Sequence, residues 1–112
     1  MSLDNEARGH IDLIKQTAEK IWGANVSFGE MNIMPYPHTE FEWSMNLYGT
    51  VDIMLYYDRS ILGVAILKNG EAFSVSSFTD KSYVGGFEST EPEHLLENFM
   101  LLDEIVKQEF SI

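Results

Sequence analysis

The sequence contains no cysteine, and this absence excludes three kinds of chemistry at once. Without thiols the chain cannot form disulfides, attack a substrate with a thiolate or bind zinc through sulfur. The absence of cysteine fits a reducing compartment, so we expect a cytoplasmic protein. The fold must then be stabilised by a hydrophobic core, and 112 residues, 45% of them hydrophobic, are enough for one such core.

Basic residues are also scarce, with 7 Lys and Arg against 18 Asp and Glu and a formal net charge of −11. Nucleic acids and anionic membranes are bound through clustered Lys and Arg, so we expect neither as a partner. The same charge favours a partner protein with a basic surface, because opposite fields steer two molecules together.

Long apolar runs are absent as well. No segment approaches the ~20 residues of a membrane-spanning helix. The opening "MSLDNEARGHIDLIKQ" lacks the apolar centre of a signal peptide, so we expect none. The chain has no repeat and no low-complexity tract, and residues 1–112 are therefore expected to form a single domain.

Two segments have the apolar spacing of amphipathic helices. Residues 3–22 predict the first helix, with one face formed by Leu3, Ala7, His10, Ile11, Ile14, Ala18 and Ile21. The second helix is predicted over 90–110, where Thr90 and Glu93 indicate a capping box and Pro92 lies in the first turn. Its core stripe is Leu95, Phe99, Leu102, Val106 and Phe110.

Between these helices the apolar period changes to two, as in strands. "TEFEWSMNL" and "TVDIMLYY" alternate without a fault. A three-residue loop of Leu47, Tyr48 and left-handed Gly49 would join them, pairing Met45 with Val51 and Trp43 with Ile53. A two-residue loop would oppose apolar and polar faces, so we exclude it.

A second hairpin is predicted in "ILGVAILKNGEAFSVSSF". Asn69-Gly70 is the preferred dipeptide of a type I′ turn. Counting outward from this turn predicts three opposed pairs, Lys68 with Glu71, Ile66 with Phe73 and Val64 with Val75.

The first strand changes the parity of its apolar residues. The apolar residues Val26 and Phe28 occupy even-numbered positions, whereas Met31 and Ile33 occupy odd-numbered ones. Gly29 lies where the pattern switches, which indicates a β-bulge. The prolines after this strand cannot donate to a sheet and require a turn. The expected architecture is an α+β two-layer sandwich, in which a five-stranded antiparallel meander carries the N- and C-terminal helices on its one apolar face.

Catalytic and metal-binding motifs are scarce. His38, Glu40 and Glu42 alternate along one strand and share the face away from the helices, where an imidazole and two carboxylates could hold a divalent metal or act as an acid/base pair. Any solvated strand has the same alternation, so we predict no metal and no cofactor here. His10 and His94 are expected to be hydrogen-bonded histidines at the edge of the core. No nucleophile triad, phosphate-binding glycine loop or metal-ligand helix motif occurs, and we expect no enzyme.

The outer face of the sheet is the first candidate surface. Met54 and Tyr56 form an apolar strip there, which Met31 and Ile33 join if the bulge is real. The strip is bordered by Glu40, Glu42 and Asp52. A contiguous strip predicts a partner or a homodimer, so the alternative function is a structural protein that self-associates through this face.

The outer side of the second helix is the stronger candidate. Glu93, Glu97 and Glu104 lie on one side, with Met100 among them and Leu101 on the flank. An acidic surface with a hydrophobic centre is complementary to a basic protein surface. The leading hypothesis is a small non-enzymatic protein that masks a basic partner, as immunity proteins, toxin inhibitors and secretion chaperones do, and this link is compositional analogy. A metal-dependent enzyme at His38 is the third hypothesis.

Overall fold

The computed structural model describes residues 5–34, 40–58, 61–78 and 91–112. The elements along the chain are α1 (Asn5–Trp22), β1 (Val26–Met34), β2 (Glu40–Leu47), β3 (Val51–Asp58), β4 (Ile61–Lys68), β5 (Glu71–Ser74) and α2 (Pro92–Glu109). Short 3₁₀ turns follow α1 and β5. All strand neighbours are antiparallel and the sheet order is β1-β2-β3-β4-β5, which confirms the predicted meander.

The molecule has two layers, as predicted. Alternate residues of β2 and β3 are buried, because successive strand side chains point to opposite faces. Ile14 and Ala18 of α1 join Phe99 and Leu102 of α2 in one core cluster with these sheet residues. Both helices therefore pack on the same face of the sheet. Neither helix in the described ranges is long and apolar enough to cross a membrane.

The β4–β5 hairpin has the predicted turn. Asn69 and Gly70 both have positive φ, of 54° and 81°, and the pairs Lys68–Glu71 and Ile66–Phe73 are present. The predicted pair Val64–Val75 is wrong, because β5 ends at Ser74 and the chain turns into a 3₁₀ turn at Val75. Val75 is nevertheless buried in the core, and Phe78 beyond the turn packs edge-on against Phe73.

The β2–β3 hairpin has the predicted faces but a different register. The loop is Tyr48-Gly49-Thr50, one residue later than expected. The φ angles of Tyr48 and Gly49 are 61° and 70°, and the Thr50 N–H donates to the Leu47 carbonyl at 3.1 Å. The register is thus shifted by two residues, which preserves the face of every side chain. Its observed pairs are Leu47 with Val51, Met45 with Ile53, and Trp43 with Leu55.

The bulge in β1 is confirmed, but its predicted consequence is wrong. The register shifts between Phe28 and Met31, so Gly29 and Glu30 share one opposing residue of β2. An extra residue reverses the parity of the residues after it, and Met31 and Ile33 therefore return to the face that the helices cover. There they oppose core residues of β2, Trp43 and Phe41. Ile33 therefore does not extend the apolar strip on the outer face, whereas Met31 still lines a hollow there with Ser44 and Met54.

The helix ends differ slightly from the prediction. Residues 1–4 and Thr90 lie outside the described residues. Pro92 is the first residue of α2, and its N-cap Glu91 makes no side-chain capping bond. The predicted capping box depends on Thr90 and so lies outside the described residues. The predicted core stripe of α2 is confirmed, with Phe110 partly buried at its end.

Candidate functional site

A groove separates the two helices on the side of the molecule away from the sheet. Leu13 and Thr17 of α1 lie beside Pro92 at the start of α2, whereas Ile21 at the end of α1 lies beside Met100. The helices therefore run in the same direction, and their side chains line an open channel along both. The sequence pattern of each helix alone contains no information about this channel.

The groove consists of two adjoining hollows that share Lys20 and Leu96. The larger has a volume of about 680 Å³. Lys20 and Ile21 form its wall on α1, and its wall on α2 is formed by Leu96, Glu97, Met100, Leu101, Asp103 and Glu104. The smaller hollow, of about 320 Å³, continues toward Glu93 and Leu13.

The structure brings all the residues predicted on the second helix to this groove. They are Glu93 in the smaller hollow and Glu97, Met100, Leu101 and Glu104 in the larger. Met100 is 55% exposed, the largest exposed fraction among the large hydrophobic residues described. By the helical period, Met100 and the three glutamates lie within about a sixth of a turn of one another. We call this row the crest of α2.

Eight residues that line the groove were missed by sequence reasoning, namely Leu13, Gln16, Thr17, Lys20, Ile21, Pro92, Leu96 and Asp103. Leu96 precedes Met100 by four positions, so the i,i+4 rule could have found it. Leu13, Lys20 and Ile21 belong to α1, and only the packing of α1 beside α2 brings them here. Leu13, Ile21 and Leu96 are half-buried and form an apolar floor below the crest.

A hydrogen-bond cluster at Asp103 holds the groove together at the end where α1 ends. The Trp22 indole Nε1–H donates to Asp103 Oδ1 at 2.8 Å, and the Tyr48 hydroxyl donates to the same oxygen. Lys107 Nζ lies 3.2 Å from Oδ2. The cluster joins the end of α1, the β2–β3 turn and α2, so it fixes the separation of the two groove walls.

The contacts within this cluster shift the pKa values of Asp103, Tyr48 and Lys107. Burial alone would raise the pKa of Asp103, but hydrogen bonds from Tyr48, Trp22 and Lys107 outweigh burial and hold the pKa below its usual value. Burial and the hydrogen bond to Asp103 raise the pKa of the Tyr48 hydroxyl. The hydrogen bond to Asp103 likewise raises the pKa of Lys107. These pKa shifts favour an ionised Asp103, a protonated Lys107 and a neutral Tyr48.

The outer sheet face presents the second predicted set of residues. Tyr56 is 42% exposed and Met54 is half-buried, and they stand opposite Gly63 and Ala65 of β4. The apolar strip thus extends toward β4, and toward β1 Met54 shares a hollow with Met31. Its acidic border is present as predicted, at Glu40, Glu42 and Asp52.

Metal-binding geometry is absent from the described residues. No group of three or more His, Asp or Glu side chains in those ranges is arranged to hold an ion. His38 lies outside the described residues, so the predicted alternation with Glu40 is not visible as a whole. His10 is hydrogen-bonded as expected, with Nδ1 at 2.7 Å from the Tyr57 hydroxyl. His94 lies 3.5 Å from Glu91.

The fold and the groove together define a two-layer α+β sandwich that offers an acidic, partly apolar groove between two parallel helices. Comparison with known proteins adds nothing to this description: no family model, no curated protein and no solved structure matches the chain.

Proposed function

We propose that this protein is a non-enzymatic binding protein whose crest of α2 masks a basic surface of a partner protein. The observation that carries the proposal is the position of Met100, an exposed apolar side chain in line with Glu93, Glu97 and Glu104 and above an apolar floor. Protein interfaces have this anatomy, in which an apolar anchor is surrounded by a charged rim.

The charged and apolar parts of the crest have different tasks. The net charge of −11 speeds the encounter with a cationic partner. Exposed ion pairs contribute little affinity each, because water and salt screen them. Affinity and specificity therefore come from burying Met100 and its apolar neighbours, whereas the glutamates determine how fast the complex forms.

The class of partner is inferred from charge and composition. Immunity proteins, inhibitors of toxins and secretion chaperones are small acidic proteins that cover a basic or exposed surface, and we place this protein beside them by analogy of composition. The absence of cysteine fits their action in the cytoplasm.

The test separates the two parts of the crest. A partner is first captured from lysate of the producing cells, and binding kinetics are then measured for three variants at two salt concentrations. The double reversal, in which both Glu97 and Glu104 are replaced by Lys, is expected to slow association about tenfold at the lower salt concentration and by less at the higher one. Met100→Ala is expected to speed dissociation about tenfold.

A matched control has the same net charge as the double reversal. Glu30→Lys with Glu71→Lys changes two exposed acids on β1 and β5 that do not line the groove. Because neither acid lines the groove and salt screens exposed charges, this control should associate faster than the double reversal and closer to the wild-type rate. Wild-type kinetics in all the crest variants would mean that the crest is only a solvated helix face.

A second candidate function is self-association through the outer sheet face. It is favoured by the exposure of Tyr56 beside Met54, on a sheet face that neither helix covers. Light scattering of the wild type and Met54→Glu is the check, since sheet-on-sheet contact would be lost in the variant. A wild type that remains monomeric at high concentration would refute this candidate.

A further inference from the structure

We infer that the groove between α1 and α2 accepts one amphipathic α-helix of the partner, with its apolar side on the groove floor and a basic flank against the crest of α2. This inference rests on the proposed function and specifies the element of the partner that is bound.

The groove has the dimensions of a short helix. Its wall on α2 extends from Pro92 to Glu104, which is about 18 Å at the helical rise per residue. A partner helix of about three turns has the same length. Half-buried apolar side chains occur in both hollows, with Leu13 in the smaller, Ile21 in the larger and Leu96 in both, so the floor can receive apolar side chains spaced at i, i+4 and i+7.

The walls of the groove favour a helix over an extended segment. Both walls are helices, whose backbone groups are already hydrogen-bonded internally, so neither offers a sheet edge to which a strand could add. A segment that leaves water must still satisfy its own backbone groups. Only a helix does this without help from the groove.

The charges determine how the bound helix is rotated. The crest of α2 contributes Glu93, Glu97 and Glu104, whereas the wall on α1 contributes the cation Lys20 to both hollows. A helix with Lys or Arg on one flank is attracted to the crest, and its opposite flank can place a carboxylate beside Lys20. A second copy of this chain fits less well, because its α2 is acidic and would meet an acidic crest, whereas its α1, with three acidic and three basic residues, has no net charge to attract it there.

The test uses a synthetic helical peptide and the full chain. The probe is a fluorescent, amphipathic peptide about 15 residues long, with leucines at i, i+4, i+7 and i+11, lysines on one flank and one glutamate on the other. Its affinity is measured by fluorescence anisotropy at physiological salt. A permuted peptide of identical composition, whose leucines no longer share a face, is expected to bind at least tenfold more weakly.

Variants locate the peptide in the groove. Leu96→Ala and Met100→Ala are each expected to weaken binding about fivefold to tenfold, whereas the Glu30→Lys, Glu71→Lys control should stay within about twofold of wild type. Lys20→Glu should weaken binding of the probe peptide. The same variant should bind more tightly a second peptide in which the flanking glutamate is replaced by lysine, since this exchange restores the charge pair. Circular dichroism should report a gain of helix on binding.

Equal binding of the permuted peptide, or wild-type affinity in both apolar variants, would overturn the inference. The same is true if the groove variants dissociate a homodimer, because a second copy would then be the occupant. The bound helix can fail while the proposed function stands: a captured partner that depends on Glu97 and Met100 but does not compete with the peptide supports the crest as a binding surface and refutes the bound helix.

Discussion

The hydrogen-bond cluster at Asp103 provides the sharpest test of the architecture. Asp103→Asn keeps an oxygen that can accept from the Trp22 indole and the Tyr48 hydroxyl, but it removes the negative charge. Hydrogen bonds to a charged acceptor stabilise by about 1.5–3 kcal/mol and those to a neutral acceptor by about 1 kcal/mol. Lys107 is half-exposed and contributes little. With two donors, the expected loss of unfolding free energy is about 1–3 kcal/mol at neutral pH.

The loss of unfolding free energy in Asp103→Asn should depend on pH, and the shifted pKa of Asp103 determines the direction of this dependence. Because this pKa is lowered in the folded protein, the charge contributes its full stability above the unfolded value of about 3.9. That stability disappears as the pH falls through the lower, folded pKa. Wild type and Asp103→Asn should therefore differ most near neutrality and converge in strong acid.

Urea unfolding followed by circular dichroism at about pH 7 and about pH 2.5 measures both quantities. Asp12→Asn, on the exposed side of α1, is the control and should resemble wild type at both pH values. A difference below about 0.5 kcal/mol at neutral pH, or an equal difference at both pH values, would refute the assignment of Asp103 as the charged link between the groove walls.

Three further outcomes are expected. Gly9→Ala should raise the unfolding free energy by about 0.5–1 kcal/mol, because Gly9 lies inside α1 with open space around its Cα. Gly49→Ala should lower the unfolding free energy by about 1 kcal/mol, because the φ angle of Gly49 is 70°. Thermal or urea unfolding measures both changes. Tyr57→Phe removes the hydrogen bond with His10 and should cost about 1 kcal/mol in the same assay. Adding zinc or manganese should not raise the thermal midpoint of the wild type through His38. A rise in the wild type that is lost in His38→Ala would instead support the hypothesis of a metal-dependent enzyme.

Local sequence patterns predicted the elements and their faces. Alternation in β2 and β3 placed Phe41, Trp43 and Tyr57 in the core, and Asn69-Gly70 placed the β4–β5 turn. These predictions hold because side-chain direction repeats with period 2 in a strand and 3.6 in a helix, so each residue's face depends on its near neighbours alone. The crest of α2 was likewise predictable as a row on one helix.

Contacts between distant parts of the chain decided the rest. Alternation permits two registers for β2 and β3 that differ by two residues, and the observed one places Tyr48 where its hydroxyl reaches Asp103, 55 positions later. The groove exists only because Leu13 and Ile21 of α1 pack beside Leu96. The return of Met31 to the core face depends on where the β1 bulge meets β2. A periodic pattern determines which way a side chain points, but register, groove and bulge placement depend on which partner it meets, and only the packed tertiary structure specifies that partner.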